Sequence, residues 1–156
     1  MVEDKPVGEI RVSEVLERSS VVSGPPTVRT DATLREAVEA MIEESASHKV
    51  YVVDDDGRLA GTVTLEVLLR HAGYMLGVRP GGMTSFLRML AEITDERVNQ
   101  VMAKPVRVAR DELLVHATKL MVEHHLNDLP VVDGDNKLVA ELRGTDILRL
   151  SVRRWR

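Results

Sequence analysis

The chain has 156 residues, 44% hydrophobic and 29% charged, with a formal net charge of −4 at pH 7; this is the make-up of one ordinary globular domain or two small ones, not of a disordered chain. The acidic balance argues against general nucleic-acid binding, which needs a broad basic footprint, and the lack of cysteine removes disulfides, thiolate metal sites and cysteine nucleophiles. No apolar run approaches the roughly 20 residues of a membrane span, and the acidic start MVEDKPVGEI carries no secretory signal, so a cytoplasmic chain is expected.

In chain order, SEVLE at 13–17 reads as a short lead-in helix, and PTVRT as a strand of β-branched residues after proline. TLREAVEAMIEE follows with Leu34, Ala37, Val38, Met41 and Ile42 at helical spacing, and Thr33 with Glu36 forms a capping box at its start. KVYVVD and LAGTVT around DDGR read as strand, turn, strand, with Asp56-Gly57 at the turn. LEVLLRHA is a further helix. In GYMLGVRPGGMTSFLRMLAEITDER the glycines and Pro80 are expected to break regular structure. A helical pattern then resumes with Phe86, Leu87, Leu90 and Ile93 apolar, and this segment is expected to bury against the body or a second subunit. VNQVM at 98–102 is a second lead-in helix, PVRVA a strand, and Asp111 is expected to cap a helix carrying Leu114, Ala117, Met121 and Val122 on one face. LPVVD and LVAEL around GDNK repeat the strand–turn–strand, and TDILRLSV is the last helix. The basic tail RLSVRRWR, with Arg149, Arg153, Arg154 and Arg156, suits a helix C-terminus; a phosphate-binding or partner role is the lesser alternative.

The chain is thus written twice. VYVVDDDGRLAGTV at 50–63 aligns without a gap to LPVVDGDNKLVAEL at 129–142, with Asp54 and Asp133 79 positions apart. Val52/Val131, Asp56/Asp135, Leu59/Leu138, Leu69/Leu148 and Arg70/Arg149 keep that offset. Leu34/Leu114, Ala37/Ala117, Met41/Met121 and Glu43/Glu123 match at 80, which puts one extra residue in the first copy near EESASH. The order strand, helix, strand, strand, helix makes the chain α/β (α+β), with two β-α-β-β-α repeats.

A doubled unit of this kind, with LPVVDxDxxLV and a following T-x-x-D-like turn, resembles the cystathionine β-synthase (CBS) domain family, and the tandem resembles a CBS pair, or Bateman module. The resemblance sets a first domain at 10–72, a linker with a short helix at 73–97, and a second domain at 98–154. It implies two repeats packed with pseudo-twofold symmetry, clefts that bind adenine nucleotides, and assembly into a homodimeric disc. In that family a hydroxyl residue at the start of the last helix meets phosphate, and an aspartate three residues later holds the ribose hydroxyls; a helix N-terminus suits both anionic groups. Here the first copy keeps the hydroxyl as Thr64 but has Val67 in place of the carboxylate; the second keeps Asp146 but has Arg143 in place of the hydroxyl, with Thr145 adjacent.

The resemblance therefore puts ribose on Asp146 and phosphate near Arg143 or Thr145, with His48 and Lys49 assisting and base contacts from the backbone of Val108 and Ala109 and an apolar rim at Leu129 and Pro130. Thr30 and Thr64 complete the candidate set. Each has a plainer role open to it: Asp146 and Thr64 as helix caps, His48 and Lys49 as solvated strand-edge residues. Asp54, Asp55 and Asp56 read as turn residues, the five histidines form no metal set, and no nucleophile elbow or phosphate-binding glycine loop is present. The expectation is a non-enzymatic regulatory module that senses AMP, ADP, ATP or S-adenosylmethionine and signals to a partner protein in trans, without metal, nucleic acid or membrane. The alternative is a dimeric interaction scaffold that has lost nucleotide binding.

Overall fold

The computed structural model describes residues 2–18, 24–43, 48–78, 84, 87–88, 91–92 and 95–154. Two three-stranded sheets repeat one topology. In the first, β1 (Thr27–Arg29) runs parallel to β2 (Lys49–Val53), which pairs antiparallel with β3 (Leu59–Thr64). In the second, β4 (Val108–Ala109), β5 (Asp128–Val132) and β6 (Leu138–Arg143) do the same. The middle strands are buried along four of five residues, which is why KVYVV and LPVV read as continuous apolar runs, not as alternating ones. Both hairpins shift register at the same repeat position, between Val52 and Val53 and between Val131 and Val132.

The helices are α1 (Val12–Leu16), α2 (Leu34–Glu43), α3 (Leu65–Val78), α4 (Val98–Val101), α5 (Leu114–Glu123) and α6 (Gly144–Arg154). The capping box of α2 forms as its sequence dictates: Thr33 N–H donates to Glu36 at 2.7 Å, and Glu36 N–H to the Thr33 hydroxyl at 3.3 Å. Asp111 does not cap α5. The N-cap position falls on Leu113, with no side-chain cap, and the Leu114 N–H donates to the Ile10 carbonyl at 2.7 Å; a backbone acceptor from a distant segment fills the role assigned to a side chain. Nor do Gly73 and Gly77 break the chain, since α3 runs through both to Val78; glycine weakens a helix interior by only about 1 kcal/mol. Of the apolar linker residues, Leu87 is exposed, while Phe86, Leu90 and Ile93 lie outside the described residues.

The compact units cut across the repeat. One comprises residues 1–24 with 106–156, the other 25–105. Each lead-in helix has left its own repeat. Ile10, Val12 and Val15 belong to the core of Val108, Leu114, Leu129, Val131 and Leu142; Val98 belongs to that of Leu34, Ala37, Val52, Val63 and Leu68. The backbone ties match pairwise: Val12 N–H donates to Glu112 and Val98 N–H to Ala32, both at 2.9 Å. The Leu114–Ile10 bond has its counterpart in Leu34 N–H to Glu96 at 2.8 Å. Arg11 donates to the Asp111 carbonyl as Arg97 does to that of Asp31. Leu129, expected on an apolar rim, is a fully buried core residue.

Candidate functional site

In the second repeat β6 passes straight into α6, with Arg143 the last strand residue and Gly144 the first of the helix. Gly144 N–H donates to the Asn127 carbonyl at 2.7 Å, and a methyl group at Gly144 would sit 3.0 Å from that oxygen, so glycine suits this close backbone approach. The turn places Asp146 in the first turn of α6, where the helix end favours negative charge. Asp146 is nonetheless buried, its side chain only 5% exposed. One carboxylate oxygen, Oδ1, accepts from Arg149 Nη1 at 3.1 Å. The other, Oδ2, is buried and has no hydrogen-bond partner among the described residues. A buried acceptor left unsatisfied costs on the order of 1–3 kcal/mol, more when charged, so the oxygen marks a place for a donor.

The same carboxylate lines a pocket with Arg149, Leu150 and Arg153 of α6 and with Glu14, Val15 and Arg18 of the lead-in segment. Its cavity volume is about 20 Å³, room for about one water-sized group. Glu14 is already engaged: it accepts from Lys5 Nζ at 3.0 Å and from Arg11 N–H at 2.8 Å. Those contacts, the Arg11 amide first and the Lys5 ammonium second, hold its carboxyl below the ordinary glutamate value.

Of the residues singled out in the sequence, Asp146, Thr145, Arg143, Val108, Ala109 and Pro130 fall in the unit made of 1–24 and 106–156. Thr145 is exposed beside Asp146. Arg143 is half-buried and its Nε donates to Glu141 at 3.4 Å. Val108 and Pro130 are buried, and both backbone groups of Ala109 are taken by Glu112, the amide at 3.1 Å and the carbonyl at 3.3 Å. His48, Lys49, Thr64 and Thr30 belong to the other unit. His48 is exposed, Lys49 is buried at the start of β2, and Thr30 donates its N–H to Val53 at 3.1 Å. The Thr64 hydroxyl accepts from Val67 N–H at 3.0 Å and so caps α3.

Arg149 and Arg153 stood only in the basic tail, where a phosphate-binding or partner role was the lesser reading, and Arg18 was not a candidate. Asp146, Arg149 and Arg153 are spaced for one helix face, a signal available in the sequence but absorbed into the reading of a basic tail. Arg18 carried no signal, because only the exchange of lead-ins brings it to α6. Arg154, also in that tail, donates instead to the Val2 and Lys5 carbonyls.

The CBS domain model matches the chain twice, at residues 12–74 and 98–153. The chain belongs to the CBS domain family. It is a tandem CBS pair of mixed α and β structure, and a CBS domain-containing protein from Thermotoga maritima superposes with a TM-score of 0.71 at 26% identity, covering 90% of this chain and 92% of that one. CBSX2, solved in complex with AMP, is 21% identical with a TM-score of 0.68, covering 94% of this chain and 98% of that one. The homoserine O-acetyltransferase of Methanosarcina acetivorans is 23% identical over 145 residues; the match takes in 92% of the CBS pair but only 22% of that protein's length. Among the described residues no helix is long and apolar enough to cross a membrane.

Proposed function

We propose that this CBS pair is a regulatory module, not a catalyst, that binds an adenine nucleotide or adenosyl ligand through Asp146 and passes its occupancy to a partner protein. The observation that carries the reading is the unpartnered Oδ2 of Asp146, buried at a helix N-terminus and lining a pocket. A ribose hydroxyl is a donor of the kind it lacks. The AMP complex of a similarly folded CBS protein supports the ligand class. The first repeat offers no equal site, since Val67 cannot accept a hydroxyl and Thr64 is spent as a cap. One ligand per chain is therefore expected.

The proposed assembly is a homodimer. Ile42 and Val122 occupy one repeat position and are 71% and 70% exposed; Leu69 and Leu148 share another at 55% and 65%. Single exposed apolar side chains need no explanation, but the same positions left uncovered in both repeats give each unit an apolar patch of the kind that a second copy covers. In the unit of residues 1–24 and 106–156, a groove of about 550 Å³ that includes Val115, Val122 and Leu150 adds to the patch.

The test is a thermal-shift screen of the full chain with AMP, ADP, ATP and S-adenosylmethionine, followed by calorimetric stoichiometry. A ligand at one hundred times its dissociation constant stabilises by about 2.7 kcal/mol. A shift with one ligand per chain, abolished in Asp146→Ala, is the expected result. No shift with any of them would sink the nucleotide reading and favour the dimeric scaffold, in which the matched apolar patches are the functional surface.

A further inference from the structure

Asp146 is held before any ligand arrives. Arg149, one turn along α6, gives Nη1 to Oδ1 and leaves Oδ2 with nothing. Half of the pair is buried and half is not: the Asp146 side chain is 5% exposed and that of Arg149 48%. A buried carboxylate needs a counter-charge or donors, so the pair neutralises Asp146, and both partners line the cavity of about 20 Å³. Arg153 and Arg18 line the same pocket. Its other acid, Glu14, is already bonded to Lys5 and to the Arg11 amide. In the first repeat Arg70 holds the position of Arg149; with Val67 in place of the aspartate, it pairs on the surface with Glu66.

We infer that Arg149 is a specificity-determining counter-ion: it lets a phosphorylated ribosyl ligand into this pocket and discriminates against the bare nucleoside. The inference rests on the reading of Asp146 as the ribose carboxylate. Oδ2 is open to one ribose hydroxyl, but Oδ1 is held by Arg149; a vicinal diol that engages both oxygens takes Oδ1 from Arg149, whose guanidinium then needs another anion. A nucleotide supplies it, because its phosphate matches the fork of Arg149, with Arg153 and Arg18 beside it. A nucleoside takes the carboxylate and offers nothing in return, so it meets the loss of the ion pair without compensation. This places the phosphate on α6 and the lead-in segment and not on Arg143, Thr145, His48 or Lys49.

The test is calorimetric titration of AMP and adenosine into the wild-type chain, Arg149→Gln, Arg149→Lys and Arg70→Gln, with circular dichroism as the check on folding. The wild type is expected to prefer AMP over adenosine by about tenfold or more. Arg149→Gln should weaken AMP by about tenfold and bind adenosine as tightly as the wild type or more tightly, collapsing the ratio. Arg149→Lys should restore part of it, and Arg70→Gln should leave both affinities as they were. If Arg149→Gln keeps the wild-type ratio, whether both affinities fall together or neither moves, the inference is overturned and the ribose reading of Asp146 stands. If it unfolds, Arg153→Gln decides: a lower ratio supports the phosphate placement, an unchanged one overturns it. A wild type that binds neither ligand overturns the nucleotide reading and this inference with it.

Discussion

Asn136 and Gly57 occupy the same place in the two hairpins, and both adopt positive φ, 64° and 81°. Only glycine takes that conformation freely, and asparagine is the side chain that tolerates it best. Substituting Asn136→Val should therefore cost about 1–2 kcal/mol while Asn136→Gly leaves urea stability near the wild-type value; equal losses in the two would show that side-chain contacts matter, not backbone strain. The turn was legible because its chemistry is local. Asp54 and Asp133 each accept two amides at 2.9 Å, from Asp56 and Arg58 and from Asp135 and Lys137, as short aspartate side chains at turns do. Glu36 is equally local. The Thr33 amide first, and its hydroxyl second, hold the carboxyl below its ordinary value of 4.5. Because the folded-state value is lowered, the stabilisation is complete above the ordinary value and is lost as pH falls through the lowered one. Urea midpoints should drop on acidification from neutral to about pH 3, with Glu36→Gln showing a lower midpoint at neutral pH and a shallower acid dependence. An unchanged acid slope would mean the capping box is not felt by the fold.

Among the elements, β3 and α4 show what neighbouring residues cannot reveal. Gly61 lies in the interior of a strand, where it costs stability. A side chain there would press on Met102, within 3.0 Å of its Cβ and nearer still to its thioether, while Thr62 and Ala103 exchange backbone hydrogen bonds at 3.0 and 2.9 Å. Gly61→Val is expected to lose about 1–3 kcal/mol, and Met102→Ala in the same chain should recover part of it; a strictly additive double mutant would place the strain elsewhere. The sequence showed β3 as a strand through its β-branched residues but gave no reason for its glycine, since the reason lies 41 positions away at Met102. The expected break at Gly73 failed for the opposite cause: a local weakness of about 1 kcal/mol does not end a helix that the rest of its residues favour. At the candidate site, Asp146 was legible through the family resemblance, with repeat alignment pairing it with Val67. Its burial was not, because that depends on what α1 lays across α6; its bond to Arg149, three residues on along the same helix, was open to the spacing alone.

For the molecule as a whole, the exchange of lead-ins governs which part depends on which. Val12 is fully buried in the core of the second repeat and Val98 in that of the first. Val12→Ala should cost about 2 kcal/mol. Removing residues 2–17 should strip amide-exchange protection from β4, β5, β6 and α5 while leaving β1 to β3 the better protected. Loss centred on β1 to β3 would show that each lead-in serves its own repeat.

The sequence by itself determined the doubled β-α-β-β-α order, the hairpin turns and the main helices, because each follows from spacing and turn chemistry within a few residues; the ribose reading of Asp146 came from the family resemblance. The sequence also contained both lead-ins, as RVSEV and RVNQV, but not their destinations. Two similar repeats present similar apolar faces, so local preference is the same for either docking. Only the tertiary structure chose, through matched backbone bonds such as Val12 to Glu112 and Val98 to Ala32. With that choice it brought Glu14 and Arg18 to Asp146.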